Sequence, residues 1–335
     1  MATTSLNSPL LAGYFGHGNA GDEMILHLLR ARLGPVPFVS GPRPLGGPAV
    51  SRFRFFDIFR ALRRSCALVL GGGELFQSRT SLRSLLYYWS LPLLARLLGR
   101  PVAGFSLALD PDMGRIEKFL TAFVLRKTAG LWVRDEASAE FLSRCGVASQ
   151  SMPDIVWAWP VSPTKAPDSL RRVLWIPRFT PSFPPSAFGK ISAFSKKWEH
   201  GVMALHPAED GPDLGRFRAG LPLFHRLESW ADPGDVFQRM ARYDLVVSMR
   251  YHGLVAAVLA GRPAVAIPDH GKVRRLAQAL RVPMVEPAAV DSTDWERLFV
   301  SPVESGPPSP GDRPARAAMA LDALAAAIAD NPLHN

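Results

Sequence analysis

The chain has 335 residues, 47% hydrophobic and 20% charged, which suits about two globular domains and excludes a disordered or fibrous protein. Thirty-nine lysines and arginines against 29 acids leave a net charge of +10, so anionic company is expected: a phosphorylated substrate, a membrane surface or nucleic acid. Two cysteines, Cys66 and Cys145, are too few for a disulfide framework or a thiolate zinc site and suit a reducing compartment.

Apolar runs of strand length alternate with amphipathic helical stretches. The first strand is predicted over 10–15, followed by glycines and a helix over 22–33 with Ile25, Leu28, Leu29 and Leu33 on one face. Gly34 and Pro35 stop that helix. Strands follow at 36–40 and 67–70, the second ending in three glycines. A helix over 81–98 contains Pro92 and is expected to kink there. Strand 102–107, helix 115–127, strand 131–134 and helix 136–144, closed by Gly146, complete the first half. Strands separated by helices pair in parallel through right-handed crossovers, which gives a doubly wound α/β sheet.

Eight prolines occur from Pro153 to Pro185, and 160–168 reads as a linker. The alternation then resumes with strands at 173–176, 203–206, 223–224, 245–249, 264–267 and 284–285. Helices are predicted at 236–243, 253–260, 273–280 and 315–328, while 183–200 shows no clear period. The expected domains are therefore two Rossmann-like α/β halves, residues 1–165 and 166–335. The first residues lack a basic stretch before an apolar run, so no signal peptide is expected. The longest apolar runs are broken by Pro92, Arg96, Arg262 and Pro263, so no spanning helix is expected either, and the cytoplasm is the expected location.

Four motifs carry the chemistry. Gly16-His17-Gly18-Asn19-Ala20-Gly21 fits G-x-G-x-x-G between strand and helix. Asp22 and Glu23 in the helix's first turn would repel a pyrophosphate, and no acid stands where a ribose partner belongs, which argues against NAD. A tight turn built on glycine dihedrals and a ligand loop both remain open there. Gly71-Gly72-Gly73-Glu74 bares backbone amides at a sheet edge and favours a polar ligand over a mere chain reversal. Arg134, at a strand end before Asp135 and Glu136, is either incidental to a helix cap or a ligand for a carboxylate or phosphate. Ser248-Met249-Arg250-Tyr251-His252-Gly253 and Pro268-Asp269-His270-Gly271-Lys272 repeat one strand-to-helix transition. Arg250, His252 and Lys272 can therefore converge on one multiply charged anion. Metal-ligand spacing, a nucleophile elbow, a Walker A loop and an aromatic-interleaved nucleic-acid module are not visible.

In this order the motifs resemble the polysaccharide pyruvyl transferase family, closest to the branch that pyruvylates polymers anchoring bacterial S-layer proteins. The resembling residues are Gly13-Tyr14-Phe15-Gly16-His17-Gly18-Asn19-Ala20-Gly21-Asp22-Glu23, Gly71-Gly72-Gly73, Gln77 with Thr80-Ser81 and Arg83-Ser84. They continue with Val133-Arg134-Asp135-Glu136, Pro153-Asp154, Met249-Arg250-Tyr251-His252 and Lys272. The chain departs from the family's usual pattern at His17, Glu74, Ser78 and Leu107-Ala108. The resemblance implies a GT-B-like fold with its active site in an interdomain cleft. It implies phosphoenolpyruvate as donor substrate, no further cofactor, and a lipid-diphosphate-linked sugar as acceptor, commonly β-linked N-acetylmannosamine. Donor contacts would come from Arg134, Arg250, His252 and Lys272, and acceptor contacts from Phe15, His17, Asn19, Asp22, Gly72, Gly73, Thr80 and Ser81.

This chemistry suits the residue types. A donor with a carboxylate and a phosphate needs fixed cations, and protonation of its methylene needs an acid working near neutral pH. An arginine is a poor acid, so His252 rather than Arg134 is the preferred proton donor. Rival readings are a GT-B glycosyltransferase using a nucleotide sugar and a non-catalytic polyanion binder. A lipid-linked acceptor also predicts peripheral contact with an anionic membrane, with Arg63-Arg64 and Arg274-Arg275 flanking the cleft mouth.

Overall fold

Leu10-Leu11-Ala12 and Leu68-Val69-Leu70 are apolar at every position, the pattern of strands covered on both faces, and all six residues are buried in the computed structural model of the chain. The structure describes residues 8–44, 46–77, 81–110, 113–163, 171–180, 198–220 and 224–329. These divide into two units. The first takes the residues up to His17, then Asp22–Ala158 and those from Asp312 on; the second takes Gly18–Gly21 and Trp159–Gly311.

The first unit is a parallel sheet of order β3-β2-β1-β4-β5-β6-β7. Its elements are β1 (Leu10–Ala12), α1 (Ala20–Leu33), β2 (Phe38–Ser40), β3 (Ala49–Ser51), α2 (Phe55–Arg63) and β4 (Leu68–Phe76). They continue with α3 (Leu82–Leu97), β5 (Val102–Leu109), α4 (Arg115–Leu125), β6 (Gly130–Val133), α5 (Glu136–Arg144) and β7 (Gln150–Ser151). The order in which strands are added reverses between β1 and β4, the switch point where ligands gather in open α/β sheets.

β4 does not end at its glycines as the sequence predicts but runs through them. Gly71 pairs with Phe105 and Gly73 with Leu107, before the register shifts ahead of Phe76. The short β3 escapes the sequence pattern because it is a three-residue edge strand, and α2, absent from the expected elements, buries Ile58 and Leu62.

The second unit is a five-stranded parallel sheet of order β10-β9-β8-β11-β12. It comprises β8 (Arg172–Ile176), β9 (Glu199–Met203), α6 (Pro207–Ala219), β10 (Phe224–Glu228), α7 (Pro233–Met240) and β11 (Leu245–Ser248). After these come α8 (Tyr251–Leu259), β12 (Ala264–Ala266), α9 (Gly271–Leu280) and α10 (Trp295–Ser305). Trp175 centres its core, 5.7 Å from the Trp295 ring and 5.9 Å from both Phe217 and Phe299. The strand predicted at 203–206 lies earlier because Pro207, fixed in φ, opens α6. Met284, predicted in a strand, forms only an isolated parallel bridge to Ala266.

The C-terminal helix α11 (Arg313–Ala329), which the division at 165/166 places in the second half, belongs to the first unit. It packs on the single turn Ile155–Ala158, with the Arg313 guanidinium 5.7 Å from the Trp157 ring centre and Asp322 accepting from Arg32 at 2.7 Å. None of the described helices is long and apolar enough to cross a membrane. The predicted linker falls largely outside the described residues, as does most of the 183–200 stretch.

Candidate active site

At the carboxyl end of β1 the glycine turn spends its amides on its own side chains. Gly16, at φ +71°, donates its N–H to Glu23 Oε1 at 2.8 Å, and Gly21 donates to Asn19 Oδ1 at 3.1 Å. Asn19 thus caps α1, and Glu23 of its first turn faces the loop, bonds that a tight turn makes. Phe15 is fully buried and meets Phe38 edge-on at 6.5 Å, so it packs beneath the loop rather than lining an open surface. His17 is half-buried, stacked on Tyr14 at 4.1 Å with Nε2 3.1 Å from the Arg52 guanidinium.

Helix α1 explains two of the three glycines of β4. A Cβ on Gly71 would stand 2.8 Å from Leu29 and one on Gly72 would stand 2.7 Å from Ile25, so the helix seats directly on the strand. Gly72 and Gly73 also hold φ near +72° and +75°, open to glycine at no steric cost. Gly73 is different in its neighbour: a Cβ there would meet Asp22 Oδ1 at 3.0 Å. The structure therefore gathers Asp22, Gly72 and Gly73 at the switch point, with packing as the main demand at Gly71 and Gly72. Ser81 is half-buried at the N-cap of α3 without a side-chain capping bond, and Thr80 lies outside the described residues.

Arg134 follows β6. Its side chain is 6% exposed and its guanidinium donates to Asp154 at 2.8 Å, a carboxylate with no exposure at all. Asp154 also accepts the Val156 N–H at 3.0 Å. The helix cap that competed for this segment is also present, with Asp135 Oδ1 accepting the Ser138 N–H at 2.9 Å. The ion pair with a buried carboxylate holds the Arg134 guanidinium in place.

In the second unit β11 and β12 are neighbours, as the matched motifs predict, and each feeds a helix directly. Ser248 Oγ accepts the Arg250 N–H at 3.1 Å and donates to the Arg250 carbonyl at 2.9 Å, which shapes the entry to α8. His252 stands in the first turn of α8, and the unit's Gly21 leaves it room: a Cβ on Gly21 would lie 1.9 Å from Nδ1. Lys272 is the second residue of α9, half-buried, and α8 and α9 pack side by side.

Arg250, expected among the donor contacts, is already ion-paired. Its guanidinium donates to both Asp210 oxygens, at 2.7 and 2.6 Å, and to Glu209 at 3.0 Å. Two carboxylates already take up its charge. Both acids sit in the first turn of α6, a helix that sequence periodicity misses because Gly211, Pro212 and Gly215 lie inside it. The available signal was Pro207 at the first helical position with acids directly after it. A hydrogen bond from His206 at 2.9 Å, ahead of the Arg250 charge, holds the Glu209 carboxyl down to about 2. Burial pushes the Asp210 carboxyl up, with Arg250 opposing. Arg178 completes the cluster, 3.9 Å from Asp269, whose other oxygen accepts from Thr180 at 3.1 Å. Burial, then the neighbouring Arg250 charge, lowers the Arg178 guanidinium from its ordinary range. Arg274, expected at a cleft mouth, pairs with Glu286.

Two parallel-sheet α/β units of this kind make a GT-B-like fold. The chain is similar in structure to HepE of Anabaena in complex with UDP, at 12% identity, 95% and 94% of the two chains covered, and TM-score 0.56. MnaA of S. aureus with UDP gives 9% identity, 97% and 99% coverage and TM-score 0.63; MurG of Acinetobacter baumannii gives 12%, 95% and 99%, and 0.50. No curated protein matches the chain in sequence. Residues 19–271 match the family described as polysaccharide pyruvyl transferase, and the chain belongs to that family. It is accordingly a transferase of polysaccharide pyruvylation with a sugar or polysaccharide acceptor. The matched span takes in Asn19, Asp22, Gly72, Gly73, Arg134, Arg250 and His252, and stops just before Lys272.

Proposed function

We propose that the chain transfers the enolpyruvyl group of phosphoenolpyruvate to a lipid-diphosphate-linked, N-acetylmannosamine-containing disaccharide and closes it as a cyclic ketal. The product belongs to a cell-envelope polymer of the kind that anchors S-layer proteins. Family membership supports the reaction class. The observation that carries the donor reading is the pair of strand-to-helix junctions on adjacent strands, which set His252 in the first turn of α8 and Lys272 in that of α9. Helix N-termini favour negative charge, and a lysine among them adds a full positive one.

In this reading Lys272 binds the donor's anionic groups in the second unit, where Arg250 shapes the site through Glu209 and Asp210, and Arg134, fixed by Asp154, is the first unit's donor-side candidate. His252 delivers a proton to the methylene carbon, leaving an oxocarbenium-like centre that one sugar hydroxyl attacks. The second hydroxyl then displaces phosphate at the same carbon, and the hydroxyl protons leave with the base and the phosphate. Asp22, Gly72, Gly73, His17, Asn19, Thr80 and Ser81 remain the acceptor-side candidates, with Phe15 supporting them from the core. The enzyme works at the inner face of the plasma membrane, where such an acceptor is held.

Titration calorimetry with phosphoenolpyruvate tests the donor half. Lys272→Ala is expected to bind about 10- to 100-fold more weakly, since a hydrogen bond to a charged group is worth about 1.5–3 kcal/mol. Unchanged affinity would remove Lys272 from the site. Binding of a nucleoside diphosphate sugar with indifference to phosphoenolpyruvate would favour the glycosyltransferase reading.

A further inference from the structure

Thirteen large hydrophobic side chains stand exposed among the described residues, and ten of them fall within residues 53–123 of the first unit. They are patterned. On α3, Leu82, Leu86, Leu93 and Leu97 recur at steps of four and seven, which makes a single stripe along the helix. On α4, Ile116, Phe119 and Phe123 repeat at three and four. At the head of α2, Phe53, Phe55 and Phe56 are 60–74% exposed. The inner faces of the same helices are already filled: Ile58, Leu85, Trp89 and Leu125 lie in the core. The outer apolar residues therefore lie outside that core.

The three helices form one layer. Arg52 lies 4.7 Å above the Tyr87 ring, joining the start of α2 to α3, and Arg100 donates to the Arg63 carbonyl at 2.9 Å at their far ends. Trp89 Nε1 donates to Thr121 Oγ1 at 3.1 Å, joining α3 to α4. Charge follows the same segment. Residues 52–127 hold thirteen lysines and arginines against five acids, a net +8 of the chain's +10. Arg83 and Arg115 open α3 and α4 beside Leu82 and Ile116, and Arg126 and Lys127 follow α4; all four are exposed.

We propose that this α2–α3–α4 face docks on an anionic lipid bilayer, its phenylalanines and leucines entering at headgroup level and its arginines and lysines meeting lipid phosphates. Apolar side chains beside a dense cationic field match a surface whose outside is anionic and whose inside is hydrocarbon. A second copy of the chain fits poorly, because an isologous contact would press two cationic faces together. A nucleic acid would neutralise the cations and leave the leucine stripe in water. The proposal deepens the lipid-linked-acceptor reading, and its test needs neither donor nor acceptor, so the two can fail separately.

The experiment is sedimentation of the full chain with phosphatidylglycerol-containing and with pure phosphatidylcholine vesicles, at low and high salt. Binding to the anionic vesicles at low salt is expected, weakened by salt and at least about tenfold stronger than to neutral ones. The double variant Leu93→Glu, Phe119→Glu is expected to lose about tenfold or more of that binding, with Leu227→Glu, an exposed apolar position of the second unit, unaffected. Should the double variant misfold by circular dichroism, Arg83→Glu with Arg115→Glu queries the same face. Failure of the wild type to bind anionic vesicles at low salt overturns the proposal. So does equal binding by both face variants, or a dimer that Leu93→Glu, Phe119→Glu splits into monomers.

Discussion

His252→Ala is expected to lower turnover about 10²- to 10⁴-fold, with donor affinity changed far less, because a general acid acts in the transition state and not in donor binding. The backbone around it positions the side chain. Ser248 fixes the β11–α8 junction through two hydrogen bonds, and the absent side chain at Gly21 makes room for the ring. Alanine also removes bulk beside Gly21, so His252→Gln serves as the control that keeps volume and loses the acid. Both variants should be slow, with melting temperatures near that of the parent. A glutamine variant with near-parental turnover would return His252 to a packing role.

Asp154→Ala should be the most destabilising single change in the first unit away from its apolar core. It strands the Arg134 guanidinium, 6% exposed, without the carboxylate that faces it at 2.8 Å. Removing one partner of a buried ion pair costs about 3–5 kcal/mol, and in a protein of this size that lowers the melting temperature on the order of 10 °C. Asp154→Asn keeps an acceptor at the same place and should fall between. If the alanine variant melts with the parent, the pair is not what orients Arg134, and the fixed-cation account of that residue fails.

How much of this was legible in the sequence differs element by element. Helix α5 has the limits read from Glu136 and Arg144, since Asp135 caps one end and Gly146, at φ +66°, follows the other. Alternation of strands and helices gave the doubly wound sheets, and matched Arg250 and Lys272 junctions gave the adjacency of β11 and β12. Three glycines, by contrast, look like a strand's end, yet β4 continues because parallel pairing to β5 needs only backbone, and α1 fills the space side chains would occupy. Helix α2, though not among the expected elements, was legible, since Phe55, Ile58, Phe59 and Leu62 recur at helical spacing. Helix α6 was hidden behind Gly211, Pro212 and Gly215, and with it Glu209 and Asp210. That omission made Arg250 look like an open cation. Charge balance at a site depends on which distant segment packs there, and no local spacing reports it. The Arg134–Asp154 pair shows the same limit across 20 residues: both stood in the family motifs, but their contact belongs to the fold.

The central claim is the reaction itself. Phosphate release from phosphoenolpyruvate should be measured with and without a lipid-linked disaccharide carrying N-acetylmannosamine, with the sugar product followed by mass spectrometry. The account predicts acceptor-dependent release of one phosphate for each pyruvate ketal formed, slowed strongly by His252→Gln. Phosphoenolpyruvate left intact in the presence of the acceptor, with transfer from a nucleotide sugar in its place, would contradict it.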